Sequence, residues 1–421
     1  MPCFPWQRLV AAIVFGGACL TCAEESVAPS GKIQRGSLRF EQGAWVFRDE
    51  RGKNTALQEY SYIRFETKSA PISKAPIVHT VRLAGDQRVS GRLVRLDDKK
   101  ATFITSWGKS TLFDRAALVG IETANDSVQI LHDDFEASLN AWIVEGNPRL
   151  SQEGAFFGKS SLLLDAAKQR ATRSWQTPPG DGGVRFYFHH TGAPANLRWS
   201  VEMLIEPRRE HAATLLIDAE GCAGSRMNST FGRLVWTSGW HVFSAERSHD
   251  RMRLFVDDHC LGETPLTAKE AVQGIRIAAE SAPGKAPGKL WIDELSVTRR
   301  LPPLARPQPD KDNDMLWLEH GELLFGRIDG ADAEGVTLDA KFGKRTLPWS
   351  KLRGIQFAKP KPHAPFSDPE ITFRPCPGFP VDRLRVKLVR WENGNLIVTH
   401  ALFGEITIER ERLDTIRIAA K

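Results

Sequence analysis

The chain has 421 residues and a mass of 47.0 kDa, too much for one small domain; at roughly 100–200 residues per domain it holds two to four. Its 41% hydrophobic and 26% charged residues exclude wholesale disorder. The net charge of +6 is the difference between 57 basic and 51 acidic residues, a mixed surface rather than a dedicated polyanion-binding one, and no nucleic-acid partner is expected.

At the N-terminus Arg8 supplies a positive charge, residues 9–20 an apolar run, and Thr21-Cys22-Ala23 a small-residue cleavage site. This is the layout of a secretory signal peptide over residues 1–23, and twelve apolar residues are too few to span a hydrocarbon core of about 30 Å. Acylation of Cys19 or Cys22 fits less well, because Gly16 and Cys19 stand where a leucine is expected. No later run approaches the ~18 apolar residues of a membrane helix. The reading is an exported chain, periplasmic, cell-envelope or extracellular, that does not span a membrane. Cleavage leaves Cys222, Cys260 and Cys376; a Cys222–Cys260 disulfide and three unpaired thiols both remain open.

Self-comparison then finds a repeated unit over residues 80–123, 315–358 and 371–419, with a degenerate copy at 31–66. Gly91 precedes Gly108 by 17 residues, and Gly326 precedes Gly343 by the same 17. Thr111, Thr346 and Thr407 each follow a glycine by three residues, and Ile121, Ile355 and Ile416 mark a shared exit. In the degenerate copy Gly52-Lys53-Asn54-Thr55 fills the same slot. Apolar and polar residues alternate in 92–96 and 405–409, the period of half-buried strands. Asp97-Asp98-Lys99-Lys100 and Glu392-Asn393-Gly394-Asn395 read as hairpin turns. Four or five short strands bent at glycines predict a small curved barrel. The pattern resembles Sm-like and SH3-like small barrels. That resemblance does not bring RNA binding with it, since no run of aromatic and basic residues marks a stacking face.

Residues 128–300 differ in composition. Strands are predicted at 185–189, 199–205, 214–218, 239–246 and 251–256, with no long helix, which predicts a two-sheet sandwich. Asp134-Phe135-Glu136 with Trp142, Gly239-Trp240-His241-Val242, Leu254-Phe255-Val256-Asp257 and the closing Trp291-Ile292-Asp293-Glu294-Leu295 resemble a concanavalin A-like, laminin-G-like jelly roll of bacterial secreted proteins. The fold class expected is therefore all-β: a central jelly-roll sandwich flanked by small barrel repeats, one pair on each side. Residues 69–78, 301–314 and 359–370 read as Pro- or charge-rich linkers.

The resemblance implies a structural calcium ion held by Asp134, Glu136 and Asp293, since hard oxygen ligands suit that ion; turn-capping by the same carboxylates is the simpler alternative. Gly158-Lys159-Ser160 and Gly108-Lys109-Ser110-Thr111 lack the upstream glycine of a phosphate loop. HExxH, paired CxxC and Gly-x-Ser-x-Gly motifs are absent. His189-His190 read as surface residues at a strand end. Paired acids for glycan hydrolysis are met by Asp218 with Glu220 only in part, and by Asp293 with Glu294 not at all if strand alternation sends them to opposite faces. Trp175, Trp199, Trp236 and Trp240 read as core rather than as a sugar-stacking surface. The expected function is a non-catalytic binding or scaffolding protein of the cell envelope, recognising a polysaccharide or another exported protein. A glycan hydrolase on the sandwich and a purely structural envelope protein are the alternatives.

Overall fold

The computed structural model describes residues 24–66, 72–166, 168–176, 180–191, 197–206, 213–218, 221–223, 239–257, 259–267, 269–281, 288–358 and 367–418. The leader 1–23, Trp236 and Glu220 lie outside them. The described chain is all-β, with antiparallel sheets and single 3-10 turns.

Each of the four repeats is a five-stranded curl. In the second copy the strands are His79–Leu83, Gln87–Leu96, Lys100–Thr105, Ser110–Asp114 and Leu118–Thr123, with a 3-10 turn at Arg115–Ala117 before the last. The fifth strand returns to pair with the first, Ile121 opposite Val81. The third copy repeats this from Asp314–Leu318 to Leu352–Gln356 with Ile355 opposite Leu316. The degenerate copy is complete, because Glu24–Val27 supplies its first strand and pairs with Tyr62–Arg64. The fourth begins at Glu370–Phe373, one residue before the expected start at 371.

The long second strand bends at glycine for a steric reason. A Cβ on Gly36, Gly91 or Gly326 would lie 2.1, 2.1 or 2.4 Å from the carbonyl oxygen of Arg48, Ile104 or Asp339 on the neighbouring strand. In the fourth copy Val386 holds that place, and the strand divides into Asp382–Arg385 and Lys387–Glu392. The second glycine is a hairpin residue: Gly52, Gly108, Gly343 and Gly404 all have positive φ, from 66° to 98°.

The copies pair through their fifth strands. The fifth strand of the first copy pairs with that of the fourth, Ile63 opposite Ile416. The second pairs likewise with the third, Ile121 opposite Ile355. The arrangement is nested: the copies meet across the intervening sandwich, not beside their sequence neighbours. Second and fourth copies then touch, and one continuous apolar core runs through all four. Local sequence could not reveal this, because each fifth strand carries the same apolar exit and accepts any sister.

The sandwich is inserted between the second and third copies. Its first and last strands, Ser127–Asp133 and Lys289–Arg300, are antiparallel neighbours with Ser127 opposite Arg300, and the Leu301 amide donates to the Asp126 carbonyl at 2.9 Å. Its eight-stranded sheet contains these two strands with Arg149–Ser151, Ser161–Leu164, Gly182–Thr191, Trp240–Ser248, Arg251–Val256 and His259–Pro265. The six-stranded sheet comprises Ile143–Glu145, Gln169–Ser174, Ala271–Ser281, Leu197–Glu206, Ala213–Asp218 and Gly221–Ala223. Their facing side chains, among them Phe186, Phe188, Phe243, Val201 and Ile277, form a second core. Trp175 and Trp199 belong to it, as expected of buried indoles. Cys260 is exposed and unbridged on one sheet and Cys376 is buried and unbridged; Cys222 lies on the other sheet, and its side chain is outside the described set.

Candidate functional site

The face of the eight-stranded sheet turned away from the sandwich core is where the chain concentrates its polar chemistry. In the strand Gly182–Thr191, Val184, Phe186 and Phe188 enter the core, so alternation turns Arg185, Tyr187 and His189 outward. In Trp240–Ser248, Phe243 and Ala245 enter the core, which places Trp240, Ser244 and Glu246 on the outer face.

The closing strand breaks alternation. Leu290, Ile292, Leu295 and Val297 all face the core, so one residue too many separates Ile292 from Leu295. The register shifts opposite Arg185–Tyr187, and Glu294 takes φ 53°. This is a β-bulge, and it sets Asp293 and Glu294 on the same outer face. The expectation of opposite faces fails for this reason: alternation holds only in an unbulged strand.

Both carboxylates are engaged internally. Asp293 is fully buried; its Oδ2 accepts from the amides of Phe156 and Phe157 at 2.8 and 3.1 Å, and its Oδ1 from Glu294 at 2.8 Å. Burial pushes its pKa up to about 7. Glu294 Oε2 is hydrogen-bonded to His132 Nε2 at 2.6 Å, and Arg92 of the second copy stands 3.7 Å from Oε1. Asp293 is committed to the backbone of a loop, and Glu294 is paired with His132 where it lines the cleft between the sheet and the barrels.

The carboxylates expected to hold calcium cap backbone instead. Glu136 Oε1 accepts from the amides of Lys159 and Ser160 at 2.6 and 2.9 Å, and Asp134 Oδ1 from Glu136 at 3.2 Å. Asp293 is committed to three amides. Among the described residues no three histidine, cysteine or carboxylate side chains gather closely enough to hold a metal. Amide donors thus occupy one oxygen each of Asp134 and Glu136 and both of Asp293, the turn-capping alternative for these carboxylates. The Gly158-Lys159-Ser160 turn resembled a phosphate loop because its amides do converge, on Glu136. Gly108-Lys109 is a hairpin turn: the Thr105 amide donates to the Lys109 carbonyl at 3.0 Å, and the Lys109 amide donates to the Thr105 hydroxyl at 3.1 Å.

Along the face runs a ladder of rings. Phe156 stacks on Tyr187 at 3.7 Å and meets Trp240 edge-on at 5.6 Å; His189 lies 5.6 Å from Trp240 and stacks on Trp291 at 5.4 Å. Tyr187 and Trp291 are buried, whereas Phe156, His189 and Trp240 are half-exposed. Burial lowers the His189 pKa, which favours the neutral ring. Lys289 sits 5.8 Å from the Trp291 ring and pairs with Glu153 at 2.5 Å at the open end. Of these residues the sequence had singled out Trp240, as core, and His189, as surface. The alternation of Tyr187 and His189 against Phe186 and Phe188 was the signal that places the rest.

At the other end the barrels cover the sheet. The Tyr187 hydroxyl meets Ser73 Oγ at 3.0 Å, and burial raises its pKa. Arg185 stacks 4.5 Å over Phe379 and donates to the Pro377 carbonyl at 3.2 Å. Between sheet and barrels remains a cleft of about 90 Å³ lined by Ser244, Glu246, Ser296, Thr298, Phe379 and others.

No family model matches the chain, and no curated protein matches it. Solved structures similar to parts of it are jelly-roll and carbohydrate-related domains. A non-specific endo-beta-1,3(4)-glucanase from family GH16 is 12% identical over 42% of this chain and 92% of its own, with a TM-score of 0.31. A protein of unknown function with a galectin-like fold from Bacillus subtilis is 12% identical over 42% and 99%, TM-score 0.31. A xylan-binding domain from Paenibacillus barcinonensis is 15% identical over 41% and 96%, TM-score 0.24.

Proposed function

We propose that the chain is a non-catalytic exported binding protein of the cell envelope, and that its sandwich recognises a polysaccharide on the outer face of the eight-stranded sheet. The observation that carries this reading is the ladder of half-exposed rings, Phe156, His189 and Trp240, outside the core and flanked by Lys289 and Glu153. Sugar rings stack on such surfaces through their apolar faces while flanking polar groups take hydroxyls. The burial of Asp293 and its engagement by three backbone amides support binding over hydrolysis. The signal-peptide layout of residues 1–23 supports export.

The full chain applied to a glycan array tests this. Binding to a polysaccharide class, weakened at least about tenfold in Trp240→Ala with an unchanged melting curve, is the expected result. Silence across the array overturns glycan recognition and favours the scaffolding role. Chelator is expected to leave binding and thermal midpoint unchanged; loss of either restores the calcium reading.

A further inference from the structure

The four copies form a row in the order first, fourth, second, third, and every junction in it joins equivalent residues. Ile63 faces Ile416 at one end junction and Ile121 faces Ile355 at the other. The central junction, between fourth and second copies, follows the same rule on a different face. Arg88 lies three residues before the bend at Gly91, and Arg383 three before its counterpart Val386; the two stand directly opposite each other in antiparallel register. Trp107 and Phe403, each preceding the hairpin glycine of its copy, meet edge-on at 5.7 Å. Ser90, one residue before the bend, donates its amide and hydroxyl to Asp382 at 2.8 and 2.7 Å. This junction is a two-fold contact of a face with itself.

The third copy ends the row, and the same face on it is open. Its equivalents of Arg88, Ser90 and Trp107 are Leu323, Phe325 and Phe342. Phe325 is 45% and Phe342 52% exposed, and with Leu323 and Leu324 they line a groove of about 760 Å³. Exposed apolar clusters of this kind mark association surfaces. The groove carries both signs of charge, Asp312, Asp314 and Asp339 with Arg327 and Lys341, so no single-sign field opposes the face meeting its own copy. On the first copy, which ends the row at the other side, the equivalents are Ile33, Arg35 and Arg51; that face differs from the third copy's, so only a two-fold contact sets like residues against like.

We propose that the third-copy face of Leu323, Phe325 and Phe342 binds the same face of a second copy of this chain, closing a symmetric dimer by the contact that already joins the second and fourth copies. Sedimentation velocity on the full chain tests it. A species of twice the chain mass is expected at micromolar concentration, and Phe325→Glu and Phe342→Glu each weaken it at least about tenfold while circular dichroism stays unchanged. Because Leu323 faces its own counterpart across the axis, Leu323→Cys in a Cys260→Ser background should cross-link into a covalent dimer on oxidation. A monomer at all concentrations overturns the proposal. So does a ladder of growing masses abolished by Ile33→Glu, which would show head-to-tail joining.

Discussion

Three copies place a buried polar residue at the start of the first strand: Glu24, His79 and Asp314. Each accepts the backbone amide two residues past the bend, from Leu38, Leu93 and Ile328. The amide is freed by the bend, so the fold needs an acceptor there. The acids are balanced by arginines on the 3-10 turn of the paired copy, Arg410 on Glu24 at 3.0 Å and Arg115 on Asp314 at 2.5 Å. Asp314→Ala should therefore cost about 3–5 kcal/mol, since it strands both the Ile328 amide and a buried guanidinium; urea unfolding measures this. Asp382 gives a pH dependence. Burial raises its pKa from 3.8 to about 7, so the fold favours the neutral acid. That contribution is full below about pH 4 and is lost as pH rises through about 7. Asp382→Asn, neutral throughout, should flatten the decline in melting temperature between pH 5 and 8 relative to the parent chain.

Strands, turns and bends were the legible part of the sequence. Asn393 and Gly394 do turn the hairpin closed by Glu392 and Asn395, both with positive φ. The equal 17-residue spacing of two glycine pairs reflected two distinct demands, close approach at Gly91 and Gly326 and positive φ at Gly108 and Gly343. Substitution separates them. Gly91→Ala drives a Cβ into the Ile104 carbonyl and should cost about 3 kcal/mol or more. Gly394→Ala, with open space around it, should cost only about 1 kcal/mol from the positive φ. What the sequence concealed was the bulge at Asp293–Glu294. A bulge is set by the partner strand's register, which no local pattern of apolar and polar residues records, and it alone brings Glu294 to the face of Asp293.

At the scale of the molecule the sandwich is a lateral insertion whose ends already touch through Leu301 and Asp126. Replacing residues 127–300 by a few glycines should leave a barrel row that unfolds cooperatively by circular dichroism; an aggregated product would show that the contacts of Arg185 with Phe379 and of Arg299 with Glu319 are required for the row to fold. The resemblance of the sandwich to a jelly roll was readable from its terminal motifs. The relation between copies was not, because identical exits carry no address.

Nested pairing also fixes an order of events in time. The first copy's closing strand, Tyr62–Arg64, has as its partner Leu413–Arg417, at the far end of the polypeptide. A chain emerging N-terminus first would hold that edge open until residues 413–417 emerged, a contact of very high sequence separation and hence slow to form. A product truncated before residue 413 would display an unpaired, apolar edge, the kind of surface that proteases and chaperones engage.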